Sequence, residues 1–198
     1  MSQDKRLQNI DRMMNEIRDA LSWTSEEREV NELKALQLLL EITRELHERH
    51  EIHERIQLIL DSVIAFADAD RAFLILIDDQ GQQRYKMGRD SQGQFISHEQ
   101  FTPSQGVIER TLERKRTLLV PDAQIDSELS KRQSIQELHL RTIMCAPLSV
   151  QEKIIGLLYV DSQHSLGQYS SAHVNVIASL ADQAAVAIRN AEKFDTKT

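Results

Sequence analysis

Apolar residues along this chain change their spacing several times, and each change marks a different kind of element. Leu7, Ile10, Met14, Ile17 and Leu21 recur at alternating intervals of three and four, the a/d seam of a left-handed coiled coil. Thr24 and Arg28 then fall where that seam needs apolar side chains, and Thr24 to Glu27 has the form of a capping box. One helix is therefore predicted to end near Ser22 and another to start near Thr24. Between residues 30 and 46 the apolar positions, including Leu33, Leu36, Leu38, Leu39, Leu40 and Ile42, are too dense for a single stripe. That density predicts a helix buried on two faces, one against the domain and one against a partner. A third helix follows from the spacing of Ile52, Ile56, Ile59, Leu60, Val63, Ile64 and Ala67.

The period then shortens. The run AFLILI at 72–77 is apolar on both faces, as a central strand covered on both sides requires, and Asp79-Gln-Gly81 supplies a turn after it. Weaker strand patterns lie at 84–88 and 95–101. Ser104 stands where it can cap a helix reaching about Lys115, 117–121 reads as a short strand, and 127–140 as a helix inside a longer connection. Residues 142–150 and 153–161 are the two strongest strands, joined as a hairpin across Gln151-Glu152 and expected near the sheet centre. A last helix carries Val174, Ile177, Leu180, Ala181, Ala184, Ala185, Ile188 and Ala191, its small residues permitting close packing. The order implies an α+β fold, an antiparallel sheet with helices mainly on one face.

Composition narrows the function classes. With 198 residues, 40% apolar and 28% charged, the chain suits one globular core plus an extension. The net charge of -7, with no Lys/Arg cluster interleaved with aromatics, argues against nucleic acid as a direct partner. The start of the chain has no apolar stretch of signal-peptide type, and the longest apolar run, 154–160, is far short of a membrane span. No membrane partner and a cytoplasmic location are expected. The single Cys145 allows no internal disulfide and forms no metal-ligand pattern.

Three segments, ADADRAFLILID at 67–78, RTIMCAPLSV with KIIGLLYVDS at 141–162, and LADQAAVAIRNAEKF at 180–194, together resemble the GAF family as found in bacterial signalling proteins. The resemblance implies a six-stranded antiparallel sheet with the first, second and last helices on one face and a pocket on the other, roofed by the middle helices and loops. It also implies dimerisation through the first and last helices. The expected organisation is a helical or coiled-coil extension over 1–32, the GAF domain over 33–194 and a tail over 195–198. Cyclic-nucleotide binders of the family often carry Asn-Lys followed by Phe-x3-Asp-Glu. Here Asp161-Ser162 and Tyr169-x3-His173-Val174 stand at those positions, keeping only an aromatic. Bilin carriers need a pocket cysteine, usually beside a histidine, whereas Cys145 falls mid-strand between Met144 and Ala146, where a small thiol is packing. Asp161 is expected to close its strand end through hydrogen bonds to nearby backbone.

The pocket expected on that resemblance is floored by Phe73, Ile75, Met144 and Tyr159, with polar groups from Arg89, Gly106 at its helix start, Asp122 and Thr142 at the rim. The bland alternative is a face filled by its own side chains. The expected dimer seam uses Leu33, Leu36, Leu39 and Leu40 with Ala181, Ala184, Ala185 and Ile188. His47, His50 and His53 do not make a metal site, because the outer pair is separated by about 600° of helix. His98, His139, His164 and His173 lack partner spacing. No nucleophile and base stand in a recognisable arrangement, so no catalytic or metal residue is assigned. No cofactor is specified. The reading is a non-catalytic regulatory domain that dimerises and passes a small-molecule or protein signal to an output partner, the alternative being a ligand-free dimerisation adaptor.

Overall fold

The structure is a computed structural model. It describes residues 12, 39–40, 42–46, 48, 51–164 and 171–195, without the side chains of 171–173 and 192–195. The seam at 7–21, the capping box at 24–27, Leu33, Leu36, His47, His50, Tyr169 and the last three tail residues lie outside the described residues, as does the side chain of His173.

Helix α1 spans Ile52–Ala67. Ile56, Ile59, Leu60, Val63, Ile64 and Ala67 form its buried stripe, and it stops at Asp68, whose left-handed conformation (φ 49°) directs a terminal N–H to the Ile64 carbonyl. Five strands follow: β1 (Arg71–Ile77), β2 (Gln83–Asp90), β3 (Leu118–Val120), β4 (Thr142–Val150) and β5 (Lys153–Ser162). They make one sheet in the order β2-β1-β5-β4-β3, with every neighbouring pair antiparallel. The two strands with the strongest sequence signal occupy the middle and its flank. Gln151 and Glu152 both have positive φ (49° and 67°), the conformation a two-residue hairpin turn requires. Gly156 is fixed by crowding instead, since a Cβ there would run into the Ile75 carbonyl of β1.

The six strands implied by the resemblance are five among the described residues. At 95–101 only Phe95 pairs, through a single bridge to Arg89, and the chain then turns into the 3-10 segment His98–Gln100. There Ser97 and Gln100 exchange side-chain and backbone hydrogen bonds, so local capping competes with strand pairing. The region expected as one helix at 127–140 holds a 3-10 turn, Leu129–Lys131, and the short helix α3, Gln133–Glu137. Helix α2 covers Gln105–Arg114, preceded by Ser104, whose hydroxyl makes no capping bond. Helix α4 covers Ser171–Asp195.

Because side chains alternate along each strand, the sheet separates two apolar cores. On one face Ala72, Leu74, Met144, Ala146, Leu158 and Val160 join α1, α4 and the helical residues Ile42 and Leu46. On the other face Phe73, Ile75, Ile143, Cys145, Leu157 and Tyr159 join α2 and the connection between β3 and β4.

Candidate functional site

The second face brings together three of the eight expected pocket residues in its core. Phe73, Ile75 and Tyr159 share it, and each is 0% exposed. Phe73 meets Phe101 edge-on at 5.2 Å and lies 6.2 Å from Tyr159 between ring centres. The Tyr159 hydroxyl accepts a hydrogen bond of 3.0 Å from the backbone N–H of Ser104, which ties the start of α2 to the sheet. Burial pushes the Tyr159 phenol well above its ordinary value, so it stays protonated. Cys145, opposite Tyr159 across β4 and β5, is pushed up to about 12 by burial, with a hydrogen bond to Thr111 working against the shift. It is a packed thiol.

The remaining expected pocket residues sit elsewhere. Met144 pairs with Val160, so the pleat turns its side chain into the core shared with α1 and α4. Arg89 pairs with Ala72 and faces the same side, where it grips Asp61 of α1 through two bonds of 2.8 and 3.1 Å and lies 4.4 Å under the Phe95 ring. Gly106 marks close packing, since a Cβ there would meet Leu129 Cδ2 at 2.9 Å. Asp122 pairs with Arg141, and the Thr142 hydroxyl donates toward the carbonyls of Pro121 and His164, both at 3.1 Å. These last two hold the neck of the β3–β4 connection.

One polar pair on this face was not legible as such. Asp161 is a cross-strand neighbour of Arg71, whose Nε and Nη2 reach its two carboxylate oxygens at 2.9 and 2.6 Å. The Asp161 side chain is 0% exposed, and burial pushes its carboxyl up while the guanidinium opposes that. The expected local backbone bonds are thus replaced by an ion pair between β1 and β5. The signal lay in pairing the two strand motifs antiparallel, which sets Arg71 opposite Asp161.

The residues expected at a dimer seam divide. Ala181, Ala184, Ala185 and Ile188 are buried within the chain, in the core with α1 and the sheet. Their small size brings α4 onto that core, and the exposed line of α4 runs instead through Asn175, Ser179, Asp182, Val186 and Asn190. Leu39 is half-buried against the same core, while Leu40 is 68% exposed. Beside α4 a shallow cleft of about 350 Å³ is lined by Ser149, Val150, Gln151, Val186, Arg189 and Asn190, on the face away from Tyr159. Among the described residues no three His, Cys, Asp or Glu side chains gather as for a metal ion, and no helix is long and apolar enough to cross a membrane.

The family model that matches this sequence is the GAF domain, over residues 51–188. The chain belongs to the GAF domain family. Solved structures of GAF domains share its fold at low identity. The GAF domain of a phosphoenolpyruvate-protein phosphotransferase from Coxiella burnetii is 18% identical, with a TM-score of 0.63 over 81% of this chain and 96% of that one. Its counterpart from Acinetobacter is 16% identical, with a TM-score of 0.62 over 80% and 94%. A domain of a putative two-component sensor histidine kinase from Sinorhizobium meliloti is 19% identical, with a TM-score of 0.55 over 72% and 93%. No curated protein matches the sequence. In this GAF domain, then, the face opposite α1 and α4 is packed with its own aromatic and aliphatic side chains.

Proposed function

We propose that this GAF domain is a non-catalytic regulatory module of bacterial signalling, working as a cytoplasmic homodimer that passes a signal to an output domain or partner protein. The observation that carries the reading is the division of the helical residues before α1. Ile42 and Leu46 are 1% and 5% exposed in the domain core, whereas Leu40, on the same helical stretch, is 68% exposed. A helix apolar on both sides joins the domain to something beyond it. Ile42, Leu46, α1 and α4 share one close-packed core, and such cores shift as units, so a displacement at the sheet is felt at the helices that leave the domain. Relatives named for a sensor histidine kinase and a methyl-accepting chemotaxis protein support a signalling role.

Light scattering at micromolar concentration is expected to give twice the 22.8 kDa chain mass, and Leu40→Glu to give the chain mass with unchanged circular dichroism. A wild-type particle of 22.8 kDa would refute the dimer. The filled second face favours a second reading, a dimerisation adaptor that needs no ligand. Native mass spectrometry separates the two, because a retained small molecule adds its mass to the dimer.

A further inference from the structure

We infer that the free edge of β4 is a docking site for an acidic, extended segment of a partner protein, which adds as a strand along residues 146–150. This deepens, and rests on, the reading of the chain as a regulatory module that acts on a partner. Strand β3 has three residues and β4 has nine, so the pairing of 118–120 with 143–145 covers only the first part of the β4 edge. Among the described residues no strand pairs with Ala146, Pro147, Leu148, Ser149 or Val150 on the side away from β5, and no backbone bond from another segment engages them. Open edges of this kind take up extended peptides through main-chain bonds. Pro147 offers no N–H, and the register shifts between Leu148 and Ser149. Main-chain bonds alone therefore hold an added strand weakly here, and side-chain chemistry must select it.

That chemistry is basic. Helix α2 ends at Arg114, Lys115 turns the chain with a φ of 49°, and Arg116 follows just before Leu118 meets Cys145, where the edge opens. All three cations are exposed, and among the described residues none has an ion pair. The far end of the edge lies about 17 Å further along β4. There the cleft of about 350 Å³ joins Ser149, Val150 and Gln151 to Val186, Arg189 and Asn190 of α4. Arg189 is half-buried and is a fourth cation without an ion pair among the described residues. The Asn190 and Gln151 amides and the Ser149 hydroxyl stand beside it as further donors to a carboxylate. The nearest carboxylates in sequence, Glu113 and Glu152, are outnumbered by these four cations. Copies of a chain with a net charge of -7 repel one another at long range, whereas this rim attracts a carboxylate-bearing strand. No residue of 112–120 or 146–152 is aromatic, so bases find no ring to stack on and nucleic acid is the poorer match.

Fluorescence anisotropy with labelled synthetic peptides on the native chain tests this. The probe alternates Glu with Val. Its controls are the same peptide with Lys for Glu, the same charges interrupted by Pro so that no strand forms, and an oligothymidylate of equal length. The probe is expected to bind at least about tenfold more tightly than any control. Arg114→Gln, Lys115→Gln and Arg116→Gln combined should weaken it by about tenfold, and Arg189→Gln should weaken it alone, each with unchanged circular dichroism. Lys86→Gln, exposed on the opposite edge strand β2, should leave it unchanged. Hydrogen exchange over 146–150 should slow when the probe is added. Equal binding of the Pro-interrupted peptide or the oligothymidylate, or an unchanged affinity in the combined variant, would overturn the proposal. So would slowing over 146–150 that tracks protein concentration without any probe, which assigns the edge to a second copy. The probe reads the chain itself whatever its oligomeric state, so failure here and failure of the dimer show separately.

Discussion

Removing Arg71 strands a carboxylate that has no route to water. The Asp161 side chain is fully buried, while Arg71 keeps 20% of its side chain exposed, and the two meet through bonds of 2.9 and 2.6 Å. Breaking a buried pair by deleting one partner costs about 3–5 kcal/mol, because the survivor keeps its desolvation penalty without its attraction. The two halves of this pair are unequal survivors. In Asp161→Ala the guanidinium can swing its long stem toward solvent, so the loss is expected near about 2 kcal/mol. In Arg71→Ala the carboxylate cannot move, and the loss is expected at about 3–5 kcal/mol. With a urea slope of about 2 kcal/mol per molar, the latter shifts the unfolding midpoint down by about 1.5–2.5 M at pH 7. Acid should restore part of it. Burial already pushes the Asp161 carboxyl up, and without Arg71 it rises further, so the folded variant takes up a proton more readily than the unfolded chain. Its deficit against the wild type therefore shrinks as pH falls through that raised value and persists above it. Urea titrations of both single variants and the double variant at neutral and acid pH make the measurement. Equal losses in the two single variants, or a deficit of Arg71→Ala that grows on acidification, would refute the reasoning.

Gly156→Ala should destabilise the chain by more than the ordinary 0.5–3 kcal/mol range of point changes, about 3 kcal/mol or more, because its Cβ meets the Ile75 carbonyl within the sheet and neither backbone can yield; a thermal melt reads this directly. Tyr159→Phe leaves the buried Ser104 N–H without its acceptor and should cost about 1–3 kcal/mol in urea unfolding, with faster amide exchange at Ser104. The Asp126 carboxyl is held well below its ordinary 3.8, foremost by its hydrogen bond to Arg110, so its contribution is complete above about pH 4 and is lost as pH falls further. Asp126→Asn should accordingly flatten the acid limb of the stability profile, and an unchanged profile would count against a stabilising Arg110–Asp126 pair.

The alternation and period of the apolar residues settled much of this domain before any contact was known. AFLILI as a strand covered on both faces, the hairpin at Gln151-Glu152, and the helix from Ile52 to Ala67 are local patterns, and local patterns are written in consecutive residues. The GAF motifs added the order of the elements. What the sequence left open is which side of the sheet each residue takes, because one step of register reverses every side chain. Met144 and Tyr159 both belong to strong strands, yet the pairing of Met144 with Val160 and of Cys145 with Tyr159 sends them to opposite cores. Arg89 was a plausible rim residue until its pairing with Ala72 turned it toward Asp61 of α1. The alanines of the last helix signal close approach in either setting, and only packing shows that the neighbour is the chain's own core. The Arg110–Asp126 and Arg71–Asp161 pairs join residues 16 and 90 positions apart, and contacts of that range arise only when the tertiary fold closes.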